Sequence, residues 1–343
     1  MKKKSMFVAF GAAAVMAAGV LAGCGGNAGG DVKETATEAV TEVTDATAVT
    51  TAQGDVTVES IAKSASENMK NVKSYALDGG VNMKYGVKAE GQSMDMSVVS
   101  KIQGESVLES KNSHITMDME MKMLGTDYKM TNEAYGLVAE DGKYVTYSKT
   151  NNPITGEEEA KWTKNETETA IDFESLNNLD LFNQIADGKI KAELSNETVQ
   201  INGRDAYKIT GTIPGEVFQE VFSSMYGSGE NAENVSTLDF SKASADAEIY
   251  VYKDSLLPAK AYMDAKSYME TILKESMAGN TSIENIELAI DEFNVETTYD
   301  KYNEIEKIEV PADVIKEAEE TAALEETDAA LEETTATETS QAS

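Results

Sequence analysis

The chain has 343 residues and a formal net charge of −32, from 61 acidic and 29 basic side chains. A surface this acidic repels nucleic-acid phosphates and anionic lipid headgroups, which excludes both as electrostatic partners. Hydrophobic residues make up 41% of the chain, enough to build a substantial core. The single cysteine excludes internal disulfide bonds and metal sites built from several thiolates.

The first residues are organised like an export signal. Three lysines at positions 2–4 precede an apolar run from Met6 to Leu21, and this run leads into Leu21-Ala22-Gly23-Cys24. A basic start, a short apolar run and small residues before the cleavage point are typical of a secretory signal. The run is too short to span a bilayer comfortably.

The ending Leu21-Ala22-Gly23-Cys24 resembles the lipobox of bacterial lipoproteins. In that family a diacylglycerol is attached to the cysteine and the signal is removed in front of it. The resemblance implies that residues 1–23 are a signal peptide and that Cys24 anchors the protein in the cell membrane, on its extracytoplasmic face. The alternative is an ordinary signal peptide with an incidental cysteine.

Composition divides the remaining chain into three parts. Residues 24–55 contain a glycine-rich spacer and no apolar periodicity, so we expect a flexible stalk. Residues 317–343 carry acidic side chains without a basic one and few apolar positions, which predicts a solvated acidic tail. A single folded domain is therefore expected at 56–316.

The domain begins with one amphipathic helix and continues with strands. A helical stripe of apolar residues comprises Val58, Ile61, Ala62, Ala65, Met69 and Val72. The apolar period then changes to two in runs at Tyr75–Val87, Met94–Ile102, Ile115–Met123, Tyr128–Val138 and Tyr144–Tyr147. Asp141-Gly142 between the last two runs predicts a tight hairpin, so these strands form an antiparallel meander.

Later strands alternate with short helical patches. Apolar residues at helical spacing predict helices around Leu179–Ile185, Val217–Met225 and Met269–Met277. Strands are predicted at Thr198–Ile201, Ala206–Ile213, Ala245–Lys253, Ala259–Asp264 and from Leu288 to Val310. Runs of strands with occasional helices favour the α+β class over repeated βαβ units.

Methionines form the most unusual pattern in the chain. They occupy alternate positions of one strand and recur on the neighbouring runs, so they share one face of the sheet. The candidate ligand-lining residues are Met83, Met94, Met96, Met117, Met119, Met121 and Met123. Because methionine is flexible and polarizable, the pattern favours a pliable apolar cavity wall. The alternative is an ordinary sheet face packed beneath helices.

The residues needed for catalysis are scarce. His114 is the only histidine and has outward parity on its strand, which is typical of a solvated surface residue. Ser60-Ile61-Ala62-Lys63 lacks the other elements of a Ser-x-x-Lys enzyme. Trp162 is expected to anchor a core or an edge. We therefore predict no catalytic residues, no metal site, no cofactor and no enzymatic activity.

The domain resembles the superfamily of bacterial lipoproteins and lipoprotein carriers that includes the Lol-system carrier and mycobacterial lipid-carrying lipoproteins. The similar segments are Val72-Lys73-Ser74-Tyr75, Asp254–Pro258, Tyr299–Ile305 and Ile308-Glu309-Val310-Pro311. Most Firmicutes lipoproteins of this layout are of unassigned function. The resemblance implies a strongly curved, unclosed antiparallel half-barrel whose concave face is covered by helices, with Gly227–Gly229 freeing one of them to move.

The function favoured by these patterns is the binding of a lipid or another apolar molecule by a monomeric, membrane-anchored lipoprotein. The resemblance and the methionines support this hypothesis together. The alternative is an envelope structural, interaction or sensor protein without a small-molecule ligand. Nucleic acid is not expected as a partner.

Lipid attachment is the first testable prediction. In cells fed an alkyne-tagged fatty acid, we expect the label on the peptide that ends at Lys33, because Cys24 is its only acceptor thiol. Cys24→Ala removes that thiol and should abolish the label on this peptide. Label that persists in Cys24→Ala would contradict the lipobox assignment.

Overall fold

The computed structural model describes residues 56–89, 92–123, 125–139, 141–151, 153, 161–167, 181–217, 240–271 and 286–323. The predicted signal peptide and stalk lie outside these residues. Among the helices that are described, none combines the length and apolar character needed to cross a bilayer.

The fold is α+β, as predicted, and is built around one unclosed antiparallel sheet. The first strands are β1 (Ser74–Ala89), β2 (Gln92–Val107), β3 (Asn112–Met123), β4 (Thr126–Val138), β5 (Tyr144–Asn151) and β6 (Trp162–Thr167). The later strands are β7 (Lys191–Ile201), β8 (Arg204–Pro214), β9 (Ser244–Tyr252), β10 (Pro258–Asp264) and β11 (Ile286–Asp300). Their order is β6-β5-β4-β3-β2-β1-β11-β10-β9-β8-β7, so β6 and β7 are the edges.

The predicted first helix is present as α1 (Val58–Met69). A capping box starts it: the Thr57 side chain accepts a hydrogen bond from the Ser60 backbone N–H, while the Thr57 N–H donates to Ser60 Oγ. Its buried residues are Val58, Ile61, Ala62, Ala65, Ser66 and Met69. This face is the apolar stripe read from the sequence.

The main core lies on one face of the sheet, which we call the inner face. It combines α1 and the short helix α2 (Leu181–Ala186) with side chains from distant strands, including Met119 of β3 and Ile209 of β8. In a flat sheet with strands ~4.8 Å apart, β3 and β8 would lie roughly 29 Å from each other. The sheet instead curves around its core as the half-barrel expected from the resemblance.

Two glycines at the centre of β1 allow neighbouring strands to approach closely. A Cβ atom at Gly79 would lie 2.5 Å from the carbonyl oxygen of Glu296, and one at Gly80 would lie 2.3 Å from that of Ser100. Both distances are far below van der Waals contact. Any side chain here would push β11 or β2 away and flatten the sheet.

The predicted β4–β5 hairpin is confirmed, and a second tight turn joins β7 to β8. Gly142 has a φ of 84° in the β4–β5 hairpin, and Asn202 and Gly203 have φ values of 51° and 76° in the β7–β8 hairpin. Positive φ at both central residues is the geometry for which Asn-Gly is preferred. Of the three later helices predicted, the one around Leu179–Ile185 is present as α2. Residues 215–217 and 266–271 are helical, while most of the other two segments and Gly227–Gly229 lie outside the described residues.

Two strand boundaries differ from those predicted. β7 begins at Lys191 instead of Thr198, and its pairing with β8 shifts register between Leu194 and Thr198. The irregular pairing interrupts the alternation that the sequence prediction relied on. The last strand ends at Asp300 rather than continuing to Val310, because Lys301 and Asn303 adopt positive φ.

The C-terminal segment differs most from its prediction. Residues 312–323 form a helix, so residues 317–323 are not part of a solvated tail, and the fold extends beyond 316. Val314 and Ala318 join Ile308 in a second cluster with Tyr135 and Trp162 on the opposite, outer face of the sheet. One helix thus packs outside the barrel, where none was expected.

Burial of Ala318 gives a stability test. Ala318 is 0% exposed, so Ala318→Glu places an unpaired carboxylate in an apolar contact and should lower the free energy of unfolding by about 2–4 kcal/mol. Ala312→Glu makes the same change at an exposed position of this helix and should be nearly neutral. Urea unfolding would measure both. Equal midpoints would mean that the helix does not pack on the sheet.

Candidate functional site

Strand register brings the methionines together on the inner face. Met96 of β2 is directly opposite Met123 of β3, and Met119 of β3 is directly opposite Met130 of β4. On the other side of β2, Val98 is opposite Met83 of β1. Side chains directly opposite each other project from the same face. The pairing therefore places the methionines of four adjacent strands side by side.

Burial divides these methionines into two groups. Met83 is 1% exposed and Met119 is 7% exposed, and both belong to the main core. The others are only half-buried: Met96, Met117, Met121, Met123 and Met130. We call these five residues the methionine surface. Of this group, all but Met123 pack against the main core.

Sequence reasoning named six of these seven residues and missed Met130. Met130 has an even number on β4 and lies opposite an odd-numbered residue of β3. Extending the alternation to β4 would therefore have placed it on the same face as the other methionines. Met94 pairs with Val87 through its backbone, but its side chain lies outside the described ones. Whether these residues line a cavity stays a prediction, as does the lipid on Cys24.

The inner face beside the methionine surface is kept uncharged. Tyr85 lies opposite Met96 and is 2% exposed. Burial raises the pKa of Tyr85 to about 12, so its phenol stays neutral at physiological pH. The buried ring beside the methionine surface therefore carries no charge.

Away from the second cluster, much of the outer face is polar and is crossed by ion pairs. Lysine and glutamate on neighbouring strands approach within 2.7–2.9 Å in the pairs Lys208–Glu248, Lys260–Glu296 and Lys129–Glu120. Lys301, directly after β11, lies 3.0 Å from Glu105 of β2. A groove of about 720 Å³ also lies here, and its lining includes Asp78, Gln103 and Asp300. This face suits water and polar groups, so the candidate apolar site is the opposite one.

A polar group of residues around Arg204 fixes the β7–β8 hairpin against β9 and the turn that follows it. Arg204 Nε donates to Asp254 at 3.0 Å, and the guanidinium lies 3.8 Å from the ring centre of Tyr252. Arg204 holds the pKa of Asp254 below its usual range. Tyr252 in turn donates to the Tyr299 carbonyl at 3.0 Å. These contacts stabilise the architecture and lie away from the methionines.

His114 has the outward parity predicted for it but is not freely solvated. Its ring stacks on Tyr135 with centroids 4.1 Å apart, and its Nε2 shares a 3.0 Å hydrogen bond with Glu133. Trp162 is 6% exposed within the second cluster, which confirms its expected role as an anchor. Both residues are explained by packing on the outer face.

Comparison with protein-family models identifies a family that covers the folded domain. The model of a family of unknown function, DUF6612, matches residues 57–319. That range covers the folded domain and includes most of the C-terminal helix. A search of curated proteins found no match to this chain.

Several solved structures are similar at low identity. LprF from Mycobacterium bovis matches with 12% identity and a TM-score of 0.38, over 74% of this chain and 95% of that one. A DUF1329 family protein from Desulfovibrio piger has 11% identity and a TM-score of 0.19, over 72% and 92%. A β-barrel-like DUF1849 protein from Brucella abortus has 10% identity and a TM-score of 0.19, over 66% and 96%. Values this low carry no argument about function.

Oxidation by hydrogen peroxide would test the burial of the methionines. The five residues of the methionine surface should form sulfoxides roughly tenfold faster than Met83 and Met119, because exposure controls the attack on sulfur. Peptide mass spectrometry with fragment ions would follow each residue. Met69 and Met263, buried elsewhere in the fold, should react as slowly as Met83. Equal rates at all positions would contradict the inner face described above.

Proposed function

The chain belongs to DUF6612, a family of unknown function, and we propose that it binds a lipid or another apolar molecule on its inner face without catalysing a reaction. The observation that carries this proposal is the methionine surface. Five half-buried thioether side chains on three adjacent strands form a continuous apolar area beside the core.

Physical chemistry supports an acyl chain as the occupant. Each methylene group removed from water gains about 0.8 kcal/mol. Methionine has three rotatable bonds and a polarizable sulfur, so the surface can adjust to chains of different length and shape. The neutral phenol of Tyr85 adds no charge that an apolar ligand would have to desolvate.

The proposed location follows from the lipobox. A lipid on Cys24 would hold the domain at the extracytoplasmic face of the membrane, and the stalk of about 30 residues predicted from the sequence would span roughly 30 Å root-mean-square. The domain would then reach a ligand at or near the membrane surface. In this proposal the protein binds or transfers its ligand within the range of its tether.

A second candidate is a structural or interaction role in the envelope. It is favoured by the full burial of Met83 and Met119, which pack as ordinary core residues. The helix on the outer face of β4–β6 also gives this fold a feature that a binding cup does not need. In this case the methionine surface would serve packing alone.

Crosslinking in cells would separate the two candidates. Cells expressing the full chain are fed a photoreactive alkyne fatty acid and irradiated, and the protein is then purified under denaturing conditions and digested with trypsin. Ligand on the inner face should mark residues 89–101 and 112–129, whereas an acyl chain on Cys24 stays with the peptide ending at Lys33. Residues 192–204, which form much of edge strand β7, should remain unmarked.

Matched variants then test the surface itself. Met121→Glu places a carboxylate in the apolar contact and should reduce crosslinking over 112–129 about tenfold, equivalent to ~1.4 kcal/mol. Lys122→Glu introduces the same side chain one residue later on the exposed outer face and should leave crosslinking unchanged. Absence of marked peptides in 89–129, or an equal effect of the two variants, would reject lipid binding and favour the structural role.

A further inference from the structure

The methionine surface brings three sulfur atoms within reach of one another. Met96 and Met123 are directly opposite, and Met121 is the diagonal neighbour of Met96. Cβ atoms of directly opposite residues are about 5 Å apart and those of diagonal neighbours about 7 Å. Each sulfur lies two bonds beyond its Cβ on an unbranched side chain with three rotatable bonds. Three thioethers can therefore converge on one small ion.

Thioethers are selective ligands. Soft sulfur donors prefer Cu(I), whereas carboxylate and imidazole donors suit Mg²⁺, Ca²⁺ and Zn²⁺. Within the described residues no group of three or more His, Cys, Asp and Glu side chains is arranged to hold an ion. Neighbouring charged residues such as Asp95 and Glu120 have outer-face parity. The inner face thus presents sulfur without a competing carboxylate, and the oxygens opposite Met123 and Met121 are the neutral hydroxyls of Thr126 and Tyr128.

We propose that Met96, Met121 and Met123 bind one soft monovalent cation, Cu(I), through their three sulfur atoms. Half-burial lets the ion enter while limiting hydration of the site. The negative charge of the chain, −32, raises the local concentration of cations around it. The site does not depend on lipid binding, because it uses the sulfur lone pairs and not the apolar area.

Substitution by leucine separates the metal from the lipid. Leucine has nearly the volume and hydrophobicity of methionine but lacks its sulfur. The triple variant Met96→Leu, Met121→Leu and Met123→Leu should therefore lose the ion and keep the fatty-acid crosslinks described above. Loss of both would assign the defect to the shape of the surface and overturn the metal site.

Silver(I) in chloride-free buffer is the probe, because it is a soft monovalent cation that stays in one oxidation state. Calorimetric titration uses the full chain in nonionic detergent, with Cys24→Ser in every sample so that no thiol competes. We expect one tight site and at least about tenfold weaker binding in the triple variant. The control triple Met69→Leu, Met263→Leu and Met269→Leu, at buried positions, should bind as the parent does.

Methyl NMR identifies the residues that bind. With ¹³C-methyl methionine, one equivalent of silver should shift the signals of Met96, Met121 and Met123 and leave those of Met263 and Met69 unchanged. Zn²⁺ at the same concentration should shift none of them. Unchanged binding in the triple variant, equal loss in the control triple, or absence of binding in the parent would each overturn the proposal.

Discussion

The antiparallel register between β2 and β3 is the constraint on which the candidate site depends. Side chains alternate between faces, so a slip of one residue would turn the methionines of one strand outward and bring charged side chains into the core. Pairing runs without a break from Met96–Met123 to Val107–Asn112. Met119 packs in the core on the inner face, and Glu120 pairs with Lys129 on the outer face, so both contacts agree with this register.

Curvature converts this register into a concave surface. β1 is the central strand of the sheet, and its glycines at 79 and 80 let β2 and β11 approach more closely than any side chain would permit. A sheet that bends there wraps its apolar face around α1 and α2 and exposes its ion pairs on the outside. The inner position of the methionines thus depends on how closely the backbones of neighbouring strands approach at the centre of the sheet.

The sequence was sufficient to predict the strands and the faces that follow from local periodicity. Alternation was enough to assign β1–β5 and to place Met83, Met96 and Met119 on one face, because antiparallel neighbours share a face. The helix at 312–323 was missed because its few apolar residues become meaningful only against Tyr135 and Trp162, far away in the chain. The sequence did contain an indication that the outer face is covered here. Apolar residues occupy both parities in β4 and β5, as expected for strands covered on both faces.

The choice of methionine requires a physical explanation. Strands favour β-branched residues, and ordering a methionine costs more side-chain entropy than ordering a valine or leucine. A rigid core gains nothing from that cost. The buried residues Met83 and Met119 therefore do not explain why methionine is used here. The half-buried members are different, because flexibility has value only where the contact partner changes and sulfur lone pairs only where something accepts them. The apolar ligand and the soft ion that we propose would both meet these conditions.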